Sequence, residues 1–373
     1  MSPFLAACVC AIFVTSAAYP YYRDLPEELI DEYLAYRDAP QAQLQSQGPV
    51  VNPKWPSSSI KLGQVTGVEA GPGGDVYLFH RGSRRWTVES FLPNNTYAQK
   101  DQGPIPEDTI VIVNGRTGKQ VAARGANTFY MPHGLTLDNH GNLWVTDVAL
   151  HQVMRFPKGA KEPDMVLGVK FEPGSDNEHF CKPTDVAVAS NGDFFVSDGY
   201  CNSRIMKYSK EGKLLKTWGE KASGSLTDMA LQVPHSLALV EKEDLICVAD
   251  REDARVQCFN AGLKDATKTG QFIKTLFPQN AIGNVYAITY DPTGDVIYAV
   301  VHPETNADHA RGYTISLDGR GLEEWWIDNT HRSLPHDVSV SHDGSDIYVG
   351  DISRDTAVKL ERSQPVAPQK YMG

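Results

Sequence analysis

Basic residues are in short supply. Against 46 Asp and Glu the chain sets 35 Lys and Arg, a formal charge of −11 at pH 7, and the cations nowhere gather into a run. A phosphate-binding surface is basic, so nucleic acid is excluded as a partner. Beyond the first residues there is no long apolar run either, and no membrane span is expected. Low-complexity tracts are absent, and the composition is that of a globular protein. Cysteine is sparse, with six residues in 373.

The one apolar run lies at the start, from Pro3 to Val14, followed by Thr15-Ser16-Ala17-Ala18. It has the pattern of a secretory signal peptide over 1–18, though the positive n-region is missing. A secreted protein, or one of the secretory lumen, is expected. Cleavage removes Cys8 and Cys10 and leaves Cys181, Cys201, Cys247 and Cys258. Four cysteines in an oxidising compartment allow three pairings. Cys181–Cys201 and Cys247–Cys258 are favoured because each pair falls within one repeat. Asn94-Asn95-Thr96 is a glycosylation sequon on a polar, turn-rich stretch.

The repeat is the informative feature: an alternating strand, a Gly-containing turn, a second alternating strand, and often an Asp. Pro132-His133-Gly134-Leu135-Thr136-Leu137 passes Asn139-His140-Gly141 to Leu143-Trp144-Val145-Thr146-Asp147. Further copies begin at Pro183, Pro234, Val285 and Pro335, and a diverged one opens at Val65. The later copies recur about every 50 residues, the period of a propeller blade. Period-2 alternation broken by Asn-Gly and Asp-Gly marks hairpins. A ring of four-stranded blades buries the face that a lone hairpin cannot. Six copies predict an all-β, six-bladed β-propeller over 61–362. Residues 19–60 read as a leader on the outside or mobile, and 363–373 as a loose tail.

Aligned on the turn glycines, one column reads Thr66, His133, Thr184, His235, Tyr286, His336. The histidines fall on alternate blades, so a six-fold ring would point three imidazoles into its channel a third of a turn apart. That is a three-His metal site with an open position. No Cys, Met or carboxylate joins the column, which favours zinc over copper or iron without fixing identity. The next column holds Asp337, either a carboxylate for a hard cation with backbone carbonyls or a hydrogen-bonding Asp at a strand start. Asp147, Asp198, Asp250 and Asp351 recur at the ends of second strands and are expected to cap turns.

Phe79-His80-Arg81-Gly82, Met131-Pro132-His133-Gly134, Asp198-Gly199-Tyr200-Cys201-Asn202, Val233-Pro234-His235-Ser236 and Pro335-His336-Asp337-Val338 resemble the peptidyl-α-hydroxyglycine α-amidating lyases. The resemblance runs from about Leu62 to Leu360 and implies an NHL-like propeller enzyme. It would cleave the N–C bond of a peptide ending in α-hydroxyglycine, giving a peptide amide and glyoxylate. It further implies zinc on His133, His235 and His336, and calcium on Asp337 and the carbonyls of Val68 and Leu135. Tyr200 would be the base, Arg81 the carboxylate-binding cation, and Arg251 a further arginine of the site. Arg84 and Arg85 are nearby competitors for Arg81. One departure is Leu334, where the family usually carries methionine. A free-standing soluble form is implied, dependent on a separate copper peptidylglycine hydroxylase. The rival readings are a secreted calcium-dependent propeller esterase or lactonase and a non-catalytic NHL-type protein-binding propeller.

Overall fold

A computed structural model describes residues 48–219, 230–276, 283–302, 309–319, 321–327 and 333–362. The expected signal peptide, the leader up to residue 47 and the tail from 363 lie outside these. Within them, six antiparallel four-stranded sheets follow one another along the chain. Their first strands are Val65–Ala70, Pro132–Leu137, Asp185–Val188, Pro234–Val240, Asn284–Asp291 and Pro335–Val340, and they define blades 1 to 6. Each first strand touches that of the next blade, and blade 6 returns to blade 1. The ring is closed. The chain is a six-bladed propeller.

Sequence chemistry explains both the strands and their stacking. Second strands are β-branched and aromatic, such as Leu245–Asp250 (LICVAD), buried at every position because both faces meet a neighbouring blade. Outer strands such as Gln120–Arg124 are mostly exposed. The core is correspondingly a set of six layers, one between each pair of adjacent blades. Trp144 of blade 2, for example, packs its ring 4.5 Å from that of Phe194 in blade 3. Both are fully buried, and truncating either to Ala should cost about 3–5 kcal/mol.

Blade 6 has a fourth strand borrowed from far upstream. Val50 and Val51 pair with Glu361 and Leu360, and Trp55 is buried against Tyr348 and blade 1. The end of the stretch read as an outside leader is therefore part of the ring, and the propeller begins near residue 50. A two-residue strand has no periodicity to betray it.

Among the described residues two disulfides are present, Cys181–Cys201 and Cys247–Cys258. Cys247 and Cys258 face each other in register across one blade, as the repeat predicts. The recurring Asp residues cap as expected. Asp147 Oδ2 accepts the N–H of Tyr130 and Met131, and Oδ1 those of Ala149 and Leu150. Asp250 accepts from Gln232 and Asp351 from Leu334. In each case the anchored segment is the one that enters a histidine strand.

Candidate metal and active centre

In blades 1, 2, 4, 5 and 6 the ladder between first and second strands slips at the column residue: between Val65 and Gly67, Pro132 and Leu135, Pro234 and Ser236, Val285 and Ala287, Pro335 and Asp337. Thr66, His133, His235, Tyr286 and His336 sit at these bulges, and Thr184 immediately precedes its paired strand. A bulge re-aims a side chain and frees backbone groups from the ladder. Here it does both.

The side chains of His133, His235 and His336 meet on the axis, ring centroids 4.7, 4.7 and 4.8 Å apart. One ligand atom from each lies within 4.8 Å of the others. Each Nδ1–H donates to the carbonyl of the column residue on the following blade: His133 to Thr184 at 2.8 Å, His235 to Tyr286 at 2.6 Å, His336 to Thr66 at 2.9 Å. That bond fixes the tautomer and leaves each Nε2 lone pair free, as in a metal-ligating imidazole. Burial pushes all three pKa values well below the ordinary range. For His133 the Arg81 charge adds to it; for His235 and His336 the neighbouring imidazoles do. Three neutral, pre-oriented nitrogen donors fit a zinc ion.

The column members without histidine thus have a use. Their carbonyls hold the ring on one side, and two of their hydroxyls hold the strand on the other. Thr66 Oγ1 donates to Pro132 O at 3.2 Å and Thr184 Oγ1 to Pro234 O at 2.8 Å. In the third unit Tyr286 lacks that reach. His302, stacked on Tyr286 at 3.3 Å, supplies the bond instead, Nε2–H to Pro335 O at 2.7 Å. Burial holds the His302 pKa down at about 3, so it is a neutral donor. Reading side chains alone misses these carbonyls, although the alternating column was the signal for them.

Tyr200 and both expected arginines converge on the same place. The Tyr200 hydroxyl lies 3.0 Å from His133 Nε2 and 3.1 Å from His235 Nε2, so its one proton serves one acceptor at a time. Burial raises the Tyr200 pKa, while Arg251 and Arg81 oppose that rise. The Arg251 guanidinium lies between the rings of Tyr200 and Tyr286, at 5.2 and 5.0 Å, and pairs with Glu252 at 2.7 Å. Arg81 is 2% exposed. Its Nε donates to Pro132 O at 3.1 Å and its Nη1 to Gln64 Oε1 at 3.0 Å. Nη2 is buried and finds no partner among the described residues. Burial lowers the Arg81 pKa to about 10, so it is charged at neutral pH. A buried cation with a free donor is a built anion site. The competitors are engaged elsewhere, Arg84 with Tyr97 and Gly103 O and Arg85 with Asp355. Leu334 is 37% exposed.

Further along the channel a cavity of about 180 Å³ is lined by Val68, Glu69, Leu135, Asp185, Asp337 and Ser236 among others. The three residues expected around calcium therefore share one cavity. Asp337 Oδ2 accepts from Val68 N at 2.7 Å and Oδ1 from Val338 N at 2.9 Å, which also satisfies the simpler reading of a strand-start Asp. Burial, then Asp185, pushes its carboxyl well above the usual range. Burial likewise lifts Asp185 and Glu69 to about 7. An all-oxygen donor set fits a hard cation.

The NHL repeat family matches residues 129–156, 180–208 and 231–259, which fall on blades 2, 3 and 4. Peptidyl-alpha-hydroxyglycine alpha-amidating lyase 2 of Drosophila melanogaster is 41% identical over 304 residues, covering 82% of this chain and 72% of the fly protein. The chain belongs to the peptidyl-α-hydroxyglycine α-amidating lyase family. Peptidyl-glycine alpha-amidating monooxygenase B of Xenopus laevis is also 41% identical, over 83% of this chain but 35% of its own length. The chain thus spans about a third of that frog relative. Among solved structures, a putative gluconolactonase superposes with a TM-score of 0.55 at 12% identity, over 87% of this chain and 96% of that one. That likeness shows the propeller fold alone. No helix among the described residues is long and apolar enough to cross a membrane.

Proposed function

We propose that this amidating-lyase family member cleaves the N–C bond of peptidyl-α-hydroxyglycine, releasing the peptide amide and glyoxylate, with zinc on His133, His235 and His336. The observation that carries the reading is the pairing of two half-sites. Three imidazoles are pinned through Nδ1 so that each Nε2 is an acceptor, and beside them a buried guanidinium keeps one donor unpartnered among the described residues. The substrate needs both, a site for its hydroxyl-bearing carbon and one for its carboxylate.

A zinc ion bound there would supply Lewis acidity to the substrate oxygen. Arg81 binds the carboxylate and fixes which face of the carbon meets Tyr200. Tyr200 takes the hydroxyl proton as the carbonyl of glyoxylate forms, and the N–C electron pair leaves with nitrogen. The same proton, now on the phenol, is available to the departing amide nitrogen, so the sum is neutral. Burial raises the Tyr200 pKa, Arg251 and Arg81 oppose that rise, and a zinc ion bound beside the phenol would oppose it further, toward the phenolate that this requires. Arg251 also braces the Tyr200 ring.

Calcium on Asp337 and the carbonyls of Val68 and Leu135 would neutralise charge buried in the channel and tie blades 1, 2 and 6. The substrate implies a reaction that hydroxylates a C-terminal glycine, and a separate copper peptidylglycine hydroxylase is proposed as that supplier. Secretion through residues 1–18 and glycosylation at the exposed Asn94 complete the proposal. The test is turnover of a short peptidyl-α-hydroxyglycine, followed as glyoxylate, before and after chelation and zinc add-back. Chelator-sensitive release restored by zinc supports the reading. Release no faster than the spontaneous rate from folded, zinc-loaded protein refutes it.

A further inference from the structure

Six apolar clusters fill the gaps between blades, and a seventh does not. It gathers Tyr97, Met131, Val148 and Ala149 with the partly buried rings of Trp86, Phe91 and Tyr200, so it adjoins the catalytic tyrosine. Trp86 is its hinge. Its ring is 4.9 Å from that of Tyr200 and 5.2 Å from the Arg81 guanidinium. Its backbone N–H donates to Gln64 Oε1 at 3.1 Å, the same oxygen that holds Arg81. Phe91 follows, ring centroids 5.1 Å from Trp86. On the same segment Val88 and Leu92 are 98% and 49% exposed. An apolar wall thus leads from the reacting centre to solvent.

A cation stands beside it. Lys182 is 9% exposed, and its Nζ lies 4.5 Å from the Phe91 centroid. Among the described residues no carboxylate pairs with it, and burial lowers its pKa. An ammonium taken out of water without an anion is costly, and the chain as a whole is acidic. Such a group suits an anion that arrives from outside.

We propose that the peptide upstream of α-hydroxyglycine lies along Trp86 and Phe91 toward Lys182. This wall makes the chain select the residue about to carry the amide, favouring aromatic over small and acidic over basic side chains. The inference rests on the lyase reading, because it takes the hydroxyglycine carboxylate to lie on Arg81. With that carboxylate and Tyr200 fixing the last residue, Trp86 is the surface in contact with both, and the side chain next upstream must pass it.

The experiment uses acetyl-Ala-X-α-hydroxyglycine with X as Gly, Phe, Glu or Lys, and compares kcat/KM within each enzyme. Turnover of the Gly substrate by the native chain tests the lyase reading, and its absence removes that reading. The ratios test the wall. In Lys182→Glu the Glu-to-Lys ratio should fall by about tenfold or more, the effect of reversing one partly desolvated charge. Lys182→Gln, which keeps the packing stem, should move it the same way by about threefold and covers failure of the first variant to fold. Trp86→Leu should lower the Phe-to-Gly ratio. A native chain that turns over all four substrates with ratios unmoved by the Lys182 variants overturns the proposal.

Discussion

Replacing Arg81 by Gln offers the sharpest test of the active centre, because the structure divides the guanidinium's work. Nε and Nη1 are spent on Pro132 O and Gln64 Oε1, and Nη2 is left without a partner among the described residues, the donor proposed for the substrate carboxylate. A charge-assisted bond in a buried site contributes about 3 kcal/mol, so kcat/KM should fall about 100- to 200-fold. Folding should suffer little. Pro132 O retains the Thr66 hydroxyl, Gln64 Oε1 retains the Trp86 N–H, and loss of a desolvated cation offsets the lost bonds. A shift in Tm of no more than a few degrees is expected. The decisive arm uses a peptidyl-α-hydroxyglycinamide, which has no carboxylate, with the peptide amide followed by chromatography. The native chain should lose on that substrate about what Arg81→Gln loses on the acid, and the variant should lose little more. If the variant falls equally on acid and amide substrates, Arg81 does not bind the carboxylate and the assignment fails.

Four further expectations follow from the geometry. His235→Ala should abolish turnover and lower bound zinc per chain, measured by elemental analysis; full zinc occupancy would contradict the ligand set. Tyr200→Phe keeps the ring between Trp86 and Arg251 and should cut kcat severely with Tm nearly unchanged, so a normal kcat would remove Tyr200 as the base. Asp147→Ala strips acceptors from four N–H groups, three of them buried, and should cost about 3 kcal/mol, read from denaturant midpoints. His80 accepts N–H from Gly63 and Gly82 on Nδ1, and burial lowers its pKa to about 4. Its contribution is full above pH 6.5 and lost as pH falls toward 4, since the unfolded chain then binds the extra proton. His80→Asn should therefore flatten stability against pH in that window by up to one proton, about 1.4 kcal/mol per pH unit. An unchanged slope would mean His80 is protonated in the fold.

Much of this was legible because repetition converts sequence position into angle. Once the period is known, His133, His235 and His336 fall a third of a turn apart without any coordinate, and each disulfide falls inside one blade. What stayed hidden has no side-chain signature. The carbonyls of Thr66 and Tyr286 act because a bulge frees them, and that of Thr184 because it stands just before its paired strand, and both are properties of register. His302 replaces a threonine hydroxyl only because Tyr286 displaces it, a trade between residues 16 apart in sequence that no column alignment pairs. Val50 and Val51 find their partner across almost the whole chain, too short a strand to carry a period. Trp86 sits in the long connection between Asp75–His80 and Ile110–Asn114, outside the repeat.

The borrowed strand also decides where the described chain enters the ring. Because Val50 and Val51 form the outermost strand of blade 6, the described chain enters the ring at its circumference, while the histidines face its axis. The frog and fly relatives match this chain over very different shares of their own lengths, 35% and 72%. The strand through which the described chain enters and the strands that carry the histidines thus lie at opposite edges of their blades, so a change at the one edge need not move the other.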